Sequence, residues 1–276
     1  MSAASEVPWA PGLEKTWATF RDALHAEWTK LRTVAGTAWL LVATVVLTVA
    51  VSAAAAATST CASAGCGVDQ AKISLIGVEL GQAIVAVLAV MAFGSEYSTG
   101  MVRVTLAAIP RRGTVLAAKA VAVCGPVLVA ATVAVLGSLL VGRLLLPGRG
   151  FTAAHGYGAL SLSDGPILRA ALGSVLYLGL IALLSLGATA VMRDGAAAIG
   201  VVLGLLYLFP IVAGFVTDPW HRHLEQIGPM TAGMAVQATL DLDGRPIGPW
   251  AGLGVLAAWA AAALLSGGLL LRLRDA

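Results

Sequence analysis

These 276 residues encode an all-α, polytopic membrane protein with six transmembrane helices. Only 11% of them are charged and 59% are hydrophobic, with a mean hydropathy of +0.90. A soluble domain carries about 25% charged and about 45–50% apolar residues. Charges this scarce cannot coat a water-soluble surface, and apolar area this large cannot hide in one core. Six runs, at 37–57, 73–93, 119–142, 167–191, 195–216 and 250–271, each supply the ~20 residues that a helix needs to cross hydrocarbon at about 1.5 Å per residue. This pattern excludes an ordinary cytosolic enzyme, a disordered tail, a secreted disulfide scaffold and a coiled coil. It also disfavours an outer-membrane barrel, whose alternating strands raise hydropathy far less.

The N-terminal stretch is amphipathic. Leu13, Trp17, Phe20, Leu24, Trp28 and Leu31 recur at steps of three and four, while Glu14, Lys15, Arg21, Asp22, His25, Glu27, Lys30 and Arg32 occupy the other faces. The spacing predicts a helix over 13–33. Two Trp and one Phe on its apolar stripe suit the headgroup boundary. Packing on a partner or on the bundle itself is the other reading. Residues 1–36 contain no apolar core with a small-residue cleavage site, so 37–57 is read as a true span.

The spans carry few chemical marks. Between the first two lie Cys61 and Cys66, either a disulfide or two free thiols. The second span holds Glu79 and, three residues on and so on the same face, Gln82. Together they line a polar path, or Glu79 pairs with Arg169 of the fourth span and fixes packing. Cys124 in the third span reads as packing. Gly200 and Gly204 form a small-xxx-small face on the fifth, suited to helix packing or a dimer contact.

Two connections stand out. Loop 95–112 opens Ser95-Glu96-Tyr97-Ser98-Thr99-Gly100 and closes Ile109-Pro110-Arg111-Arg112. Ser98 or Thr99 can cap a short helix there, and Pro110 ends it. The other is 217–249, whose stretch 227–236 is too short to span and too apolar for a solvated loop. An interfacial or re-entrant hairpin is expected.

Basic residues set the orientation. With the N-terminus inside, Lys15, Arg21, Lys30, Arg32, Arg103, Arg111, Arg112, Lys119, Arg193, Arg272 and Arg274 face the cytoplasm. Six of the 17 remain outside, namely Lys72, Arg143, Arg149, Arg169, Arg222 and Arg245. Both termini are therefore cytoplasmic, and the bilayer is the chain's first partner.

No catalytic set emerges. The phosphate-cradling G-x-x-x-x-G-K-[ST] pattern is absent, as is H-E-x-x-H. His221 and His223 with Asp218 read as a solvated turn rather than a metal site, because i,i+2 residues do not share a helix face. Neither a bound cofactor, a metal, nor a nucleic-acid partner is expected.

Several motifs nevertheless form a family pattern. Glu96-Tyr97-Ser98-Thr99-Gly100-Met101, then Thr105-Leu106-Ala107-Ala108-Ile109-Pro110-Arg111-Arg112 and Val115-Leu116-Ala117-Ala118-Lys119-Ala120, resemble the loop between the second and third spans of actinobacterial ABC-2 type permeases. Ala26-Glu27-Trp28-Thr29-Lys30-Leu31-Arg32 before the first span and Leu168-Arg169-Ala170 opening the fourth are also typical of them. Ile227-Gly228 before Pro229-Met230-Thr231-Ala232-Gly233 departs from the Tyr-Leu often found there. The resemblance implies the membrane subunit of an ATP-binding-cassette exporter in a bacterial plasma membrane. Such permeases pair as homodimers or related heterodimers and dock two copies of a cytoplasmic ATPase, which binds the ATP and magnesium. On that basis Glu27, Lys30, Arg32, Glu96, Tyr97, Arg103, Arg111 and Arg112 form the ATPase-facing surface. The first, second and fifth spans would line the path, for a hydrophobic or amphipathic cargo. Two other readings stay open: an ATP-independent secondary transporter with Glu79 as its ion-coupling acid, and a membrane scaffold or sensor.

Overall fold

The computed structural model describes residues 11–62, 66–108, 112–242 and 244–273, with side chains for all of these except 11–19, 103 and 106–108. Among the described residues there is no strand. Eleven α-helices follow in order: α1 (Pro11–Thr33), α2 (Ala35–Thr58), α3 (Gln70–Leu75), α4 (Val78–Ser98), α5 (Met101–Ala108), α6 (Arg112–Leu145), α7 (Gly165–Met192), α8 (Gly195–Ala213), α9 (Trp220–Ile227), α10 (Pro229–Met234) and α11 (Pro249–Leu273). Six elements are long and apolar enough to cross a membrane: α2, α3 with α4 as one bent unit, α6, α7, α8 and α11. The chain is a multi-pass membrane protein.

Burial arranges these six. α4 and α7 lie inside, and α2, α8 and α11 turn most of their surface outward. α7 runs against α4, α6, α8 and α11, while α2 packs on α4 and α6. Without a hydrophobic drive between helices in lipid, close backbone approach has to hold such contacts. The α2 stripe Thr44, Thr48, Ser52 and Ala56 is buried and lies on Gly77 and Gly81. A methyl group at Gly77 would sit 1.9 Å from the Thr48 carbonyl oxygen, and one at Gly81 2.5 Å from Thr48 Oγ1. Ser52 Oγ also accepts the Gly77 N–H at 3.1 Å, which satisfies the backbone where the second span bends.

α6 has 34 residues, so it is about 51 Å long at ~1.5 Å per residue. That exceeds the ~30 Å hydrocarbon thickness by about four turns. That length leaves room for turns outside the apolar layer, and α1 and α5 pack against this helix. Ser98 and Thr99 do not cap α5. Both hydroxyls donate back to the Ser95 carbonyl oxygen. The chain instead breaks at Gly100, whose φ of 71° a side chain would resist.

At the other end, the segment expected as a re-entrant hairpin is a pair of short helices. α9 is amphipathic and lies outside. α10 is wedged among α7, α8 and α11, with Pro229, Met230, Ala232 and Gly233 buried. α11 admits it at Gly252, where a methyl would lie 1.9 Å from the Ala232 carbonyl oxygen. Cys61 and Cys66 are joined as a disulfide, and the Cys61 N–H donates to the Arg149 carbonyl at 2.9 Å.

One buried carboxylate ties this end together. Asp69 caps α3 by accepting the Ala71 and Lys72 N–H groups at 3.1 and 3.2 Å. It also takes the Thr239 and Leu240 N–H groups at 2.5 and 3.1 Å and the Thr239 hydroxyl at 2.7 Å. Asp69→Ala should therefore cost about 3 kcal/mol, because the Thr239 and Leu240 donors lose their acceptor. A thermal melt in detergent reads it, and an unchanged midpoint would refute the clamp.

Candidate functional site

A connected set of ion pairs lies on the α1 face, where α1, α4 and α6 converge. Lys119, on the second turn of α6, has a side chain only 1% exposed. A buried ammonium must find counter-charge and acceptors for three N–H bonds. Lys119 Nζ meets Glu27 Oε2 of α1 at 2.5 Å, Glu96 Oε1 of α4 at 2.9 Å and the Ala92 carbonyl at 3.4 Å. It also stands 5.2 Å from the centroid of the Phe93 ring. All three donors are used.

Lys30 completes the set from the rim. Its Nζ lies 2.8 Å from Glu27 Oε1 and 2.8 Å from Glu96 Oε1. Two carboxylates and two ammoniums thus alternate in a neutral four-membered ring, with Lys30 partly open to solvent. Burial works against the Lys30 charge, but the Glu27 and Glu96 carboxylates outweigh it and hold its pKa above the ordinary lysine value.

The ring changes the expected docking surface. Glu27 and Glu96 are buried, so they face Lys119 rather than a partner. Burial also re-aims α1: Ala23 and Glu27 lie inside, while Trp28, placed by spacing on the apolar stripe, is exposed. The cause is Lys119, whose charge cannot remain in an apolar junction without a carboxylate. Tyr97 is half-buried and stacks on Phe93 at 5.0 Å between ring centroids. Arg112 donates to the Leu271 carbonyl, and Arg193 to the Leu270 carbonyl at 3.4 Å. Both cations thereby serve the C-terminal end of α11, where free carbonyls and the helix dipole favour positive charge. Arg32 is exposed. Arg111 and the Arg103 side chain lie outside the described residues.

Lys119 itself was legible only as a basic flank of the third span. The signal that could have marked it is its position. It sits about one turn into a run, Val115 to Val123, that is otherwise wholly apolar.

What this face exposes is α5. Met101 and Val104, three residues apart and so neighbours on one face, are 47% and 70% exposed. α5 lies outside the spans, joined to the ring-bearing ends of α4 and α6.

On the opposite face Glu79 and Gln82 part company. Gln82 is fully buried; it accepts the Tyr177 hydroxyl and donates from Nε2 to Met230 Sδ at 3.1 Å. Glu79 is exposed, and its main-chain carbonyl accepts the Tyr207 hydroxyl at 2.6 Å. The pairing of Glu79 with Arg169 does not form. Arg169 instead donates to the Ala238 carbonyl at 2.6 Å. A methyl group at Gly200 or Gly204 would meet nothing within 4 Å among the described residues. His221 is engaged locally, with Nδ1 2.9 Å from the Ala213 carbonyl and Nε2 3.5 Å from Glu225.

No protein-family model matches the sequence, and no curated protein matches it either.

Lys119→Met should leave the Glu27 and Glu96 carboxylates to share Lys30 alone within the ring and cost about 3–5 kcal/mol. Adding Glu27→Gln and Glu96→Gln should restore much of that loss. Melts of the single and triple variants decide it: a triple variant no more stable than Lys119→Met would refute the ring.

Proposed function

We propose that this chain is the membrane-embedded subunit of an ATP-driven exporter, with hydrolysis carried out by separate cytoplasmic ATPases. The observation that carries the reading is a mechanical one. An exposed short helix, α5, sits between two spans on the face where charge pairs bind α1, α4 and α6 into one unit. Force applied to Met101 and Val104 would pass directly into α4 and α6, because the ring leaves no slack between them. Basic-residue placement puts this face in the cytoplasm, where an ATPase would be found. The motif resemblance around 96–120 supports the same assignment, and the lack of a phosphate-binding loop then fits a division of labour.

In this reading the docking surface is smaller than the charged motifs suggest. It comprises the outer face of α5 with Arg32, while Glu27, Lys30 and Glu96 transmit rather than touch. Gly200 and Gly204 on α8, where an added methyl would meet open space, offer a close-packing face to a second permease copy. The cargo is hydrophobic or amphipathic, as a path through largely apolar helices requires.

The experiment is affinity purification of this chain from its native membrane, with co-purifying proteins probed for an ATPase that carries a phosphate-binding loop. Met101→Asp with Val104→Asp should abolish the complex without shifting the melting midpoint, since both side chains are exposed. Retention of the complex by the double variant would overturn the docking assignment. Transport by the purified chain alone, driven by a proton gradient, would overturn the ATP-driven reading.

A further inference from the structure

We propose that a cleft on the face opposite α1 binds a small zwitterion, a molecule with an ammonium and a carboxylate a few bonds apart. The cleft, about 220 Å³, opens where α3, the start of α4, the end of α8, α9, α10 and residues 245–247 meet. Four of its lining residues are charged: Lys72, Glu79, Glu225 and Arg245. The signs balance, two against two.

The contrast with the opposite face is informative. There, two acids and two bases close into contacts of 2.5–2.9 Å. Here, among the described residues, none of the four pairs with another of the four. The ionic neighbour of Glu225 is His221, at 3.5 Å. Arg245 Nε is buried and meets no acceptor among the described residues. Opposite charges held around one space at a membrane boundary, yet not collapsed onto each other, form a receptor for a ligand that carries both charges.

Complementarity narrows the class. A simple cation would satisfy Glu79 and Glu225 but meet Lys72 and Arg245, and a simple anion would meet the reverse. An uncharged molecule would desolvate all four charges without pairing them. A zwitterion serves both pairs, its ammonium toward the carboxylates and its carboxylate toward Lys72 and Arg245. The volume corresponds to about seven waters at ~30 Å³ each, room for one or two amino-acid residues. Met230 and Met234 line the same space, and their flexible thioethers adapt to an apolar side chain. Met230 is itself held from behind by Gln82. Binding here stands independently of any ATPase.

The test is calorimetric titration of the purified chain in detergent with the dipeptide glycyl-leucine. Saturable one-to-one binding is expected. Blocking either terminus of the dipeptide, by acetylation or amidation, should weaken it about tenfold or more. Glu79→Gln and Arg245→Gln should do the same while melting like the parent protein, and Lys72→Gln provides a further, solvent-exposed variant. Three results would overturn the proposal: no saturable heat with glycyl-leucine, equal binding of the doubly blocked dipeptide, or parental affinity in all three variants. Because no ATPase is present, this failure is separate from failure of the exporter reading.

Discussion

The Lys119 ammonium sets the terms for one whole face of this protein. Leaving a charge of that kind unpaired in an apolar junction costs several kcal/mol, so the surrounding helices must bring carboxylates to it. Glu27 comes from a helix 92 residues earlier and Glu96 from 23 residues earlier. Meeting both demands rotates α1 about its axis, sets how far α4 extends, and anchors the break from which α5 leaves. Lys30 then neutralises the second carboxylate charge from the rim. The pairs are not a surplus of stability. They satisfy a need that Lys119 creates, and their consequence is that three chain segments are tied at one point.

The two ends of the bundle use charge in opposite ways. On the α1 face, opposite charges are in contact and the exposed group is apolar, at Met101 and Val104. On the other face, the opening beside Glu79 keeps its charges apart, while Asp69 fastens the neighbouring loops through five accepted hydrogen bonds. Between the ends, contact rests on missing side chains. Gly77 and Gly81 admit α2, and Gly252 admits α10, each at distances no Cβ would allow. At these positions helix contact is set by packed backbone rather than by flexible side chains.

The spans were legible because hydropathy is a local sum. Runs read at 37–57, 167–191 and 250–271 fall within helices 35–58, 165–192 and 249–273. Where the local sum mixed signals, the boundaries moved. α6 begins at Arg112 rather than 119, because the helix continues through the basic flank that hydropathy had assigned to the loop. The candidate site was less legible. The ring residues Glu27, Lys30 and Glu96 stood out by sequence, but as a surface. Ser98 and Thr99 stood out as caps but bond backward. Arg112, read as partner-facing, serves the carbonyls of α11. In each case residue type announced a polar task and left its address open.

Composition and spacing determined the membrane class, the number of crossings, the amphipathic helix before them and the short helix between the second and third. These follow from transfer free energies and helical period, properties of neighbours along the chain. Only the tertiary structure decided which charges meet. Glu27 and Trp28 are adjacent, yet one is buried and the other exposed, because that choice depends on Lys119 across the junction. Coulombic and hydrogen-bond energies fall steeply over a few ångströms, and distances on that scale between remote segments exist only once the helices have packed.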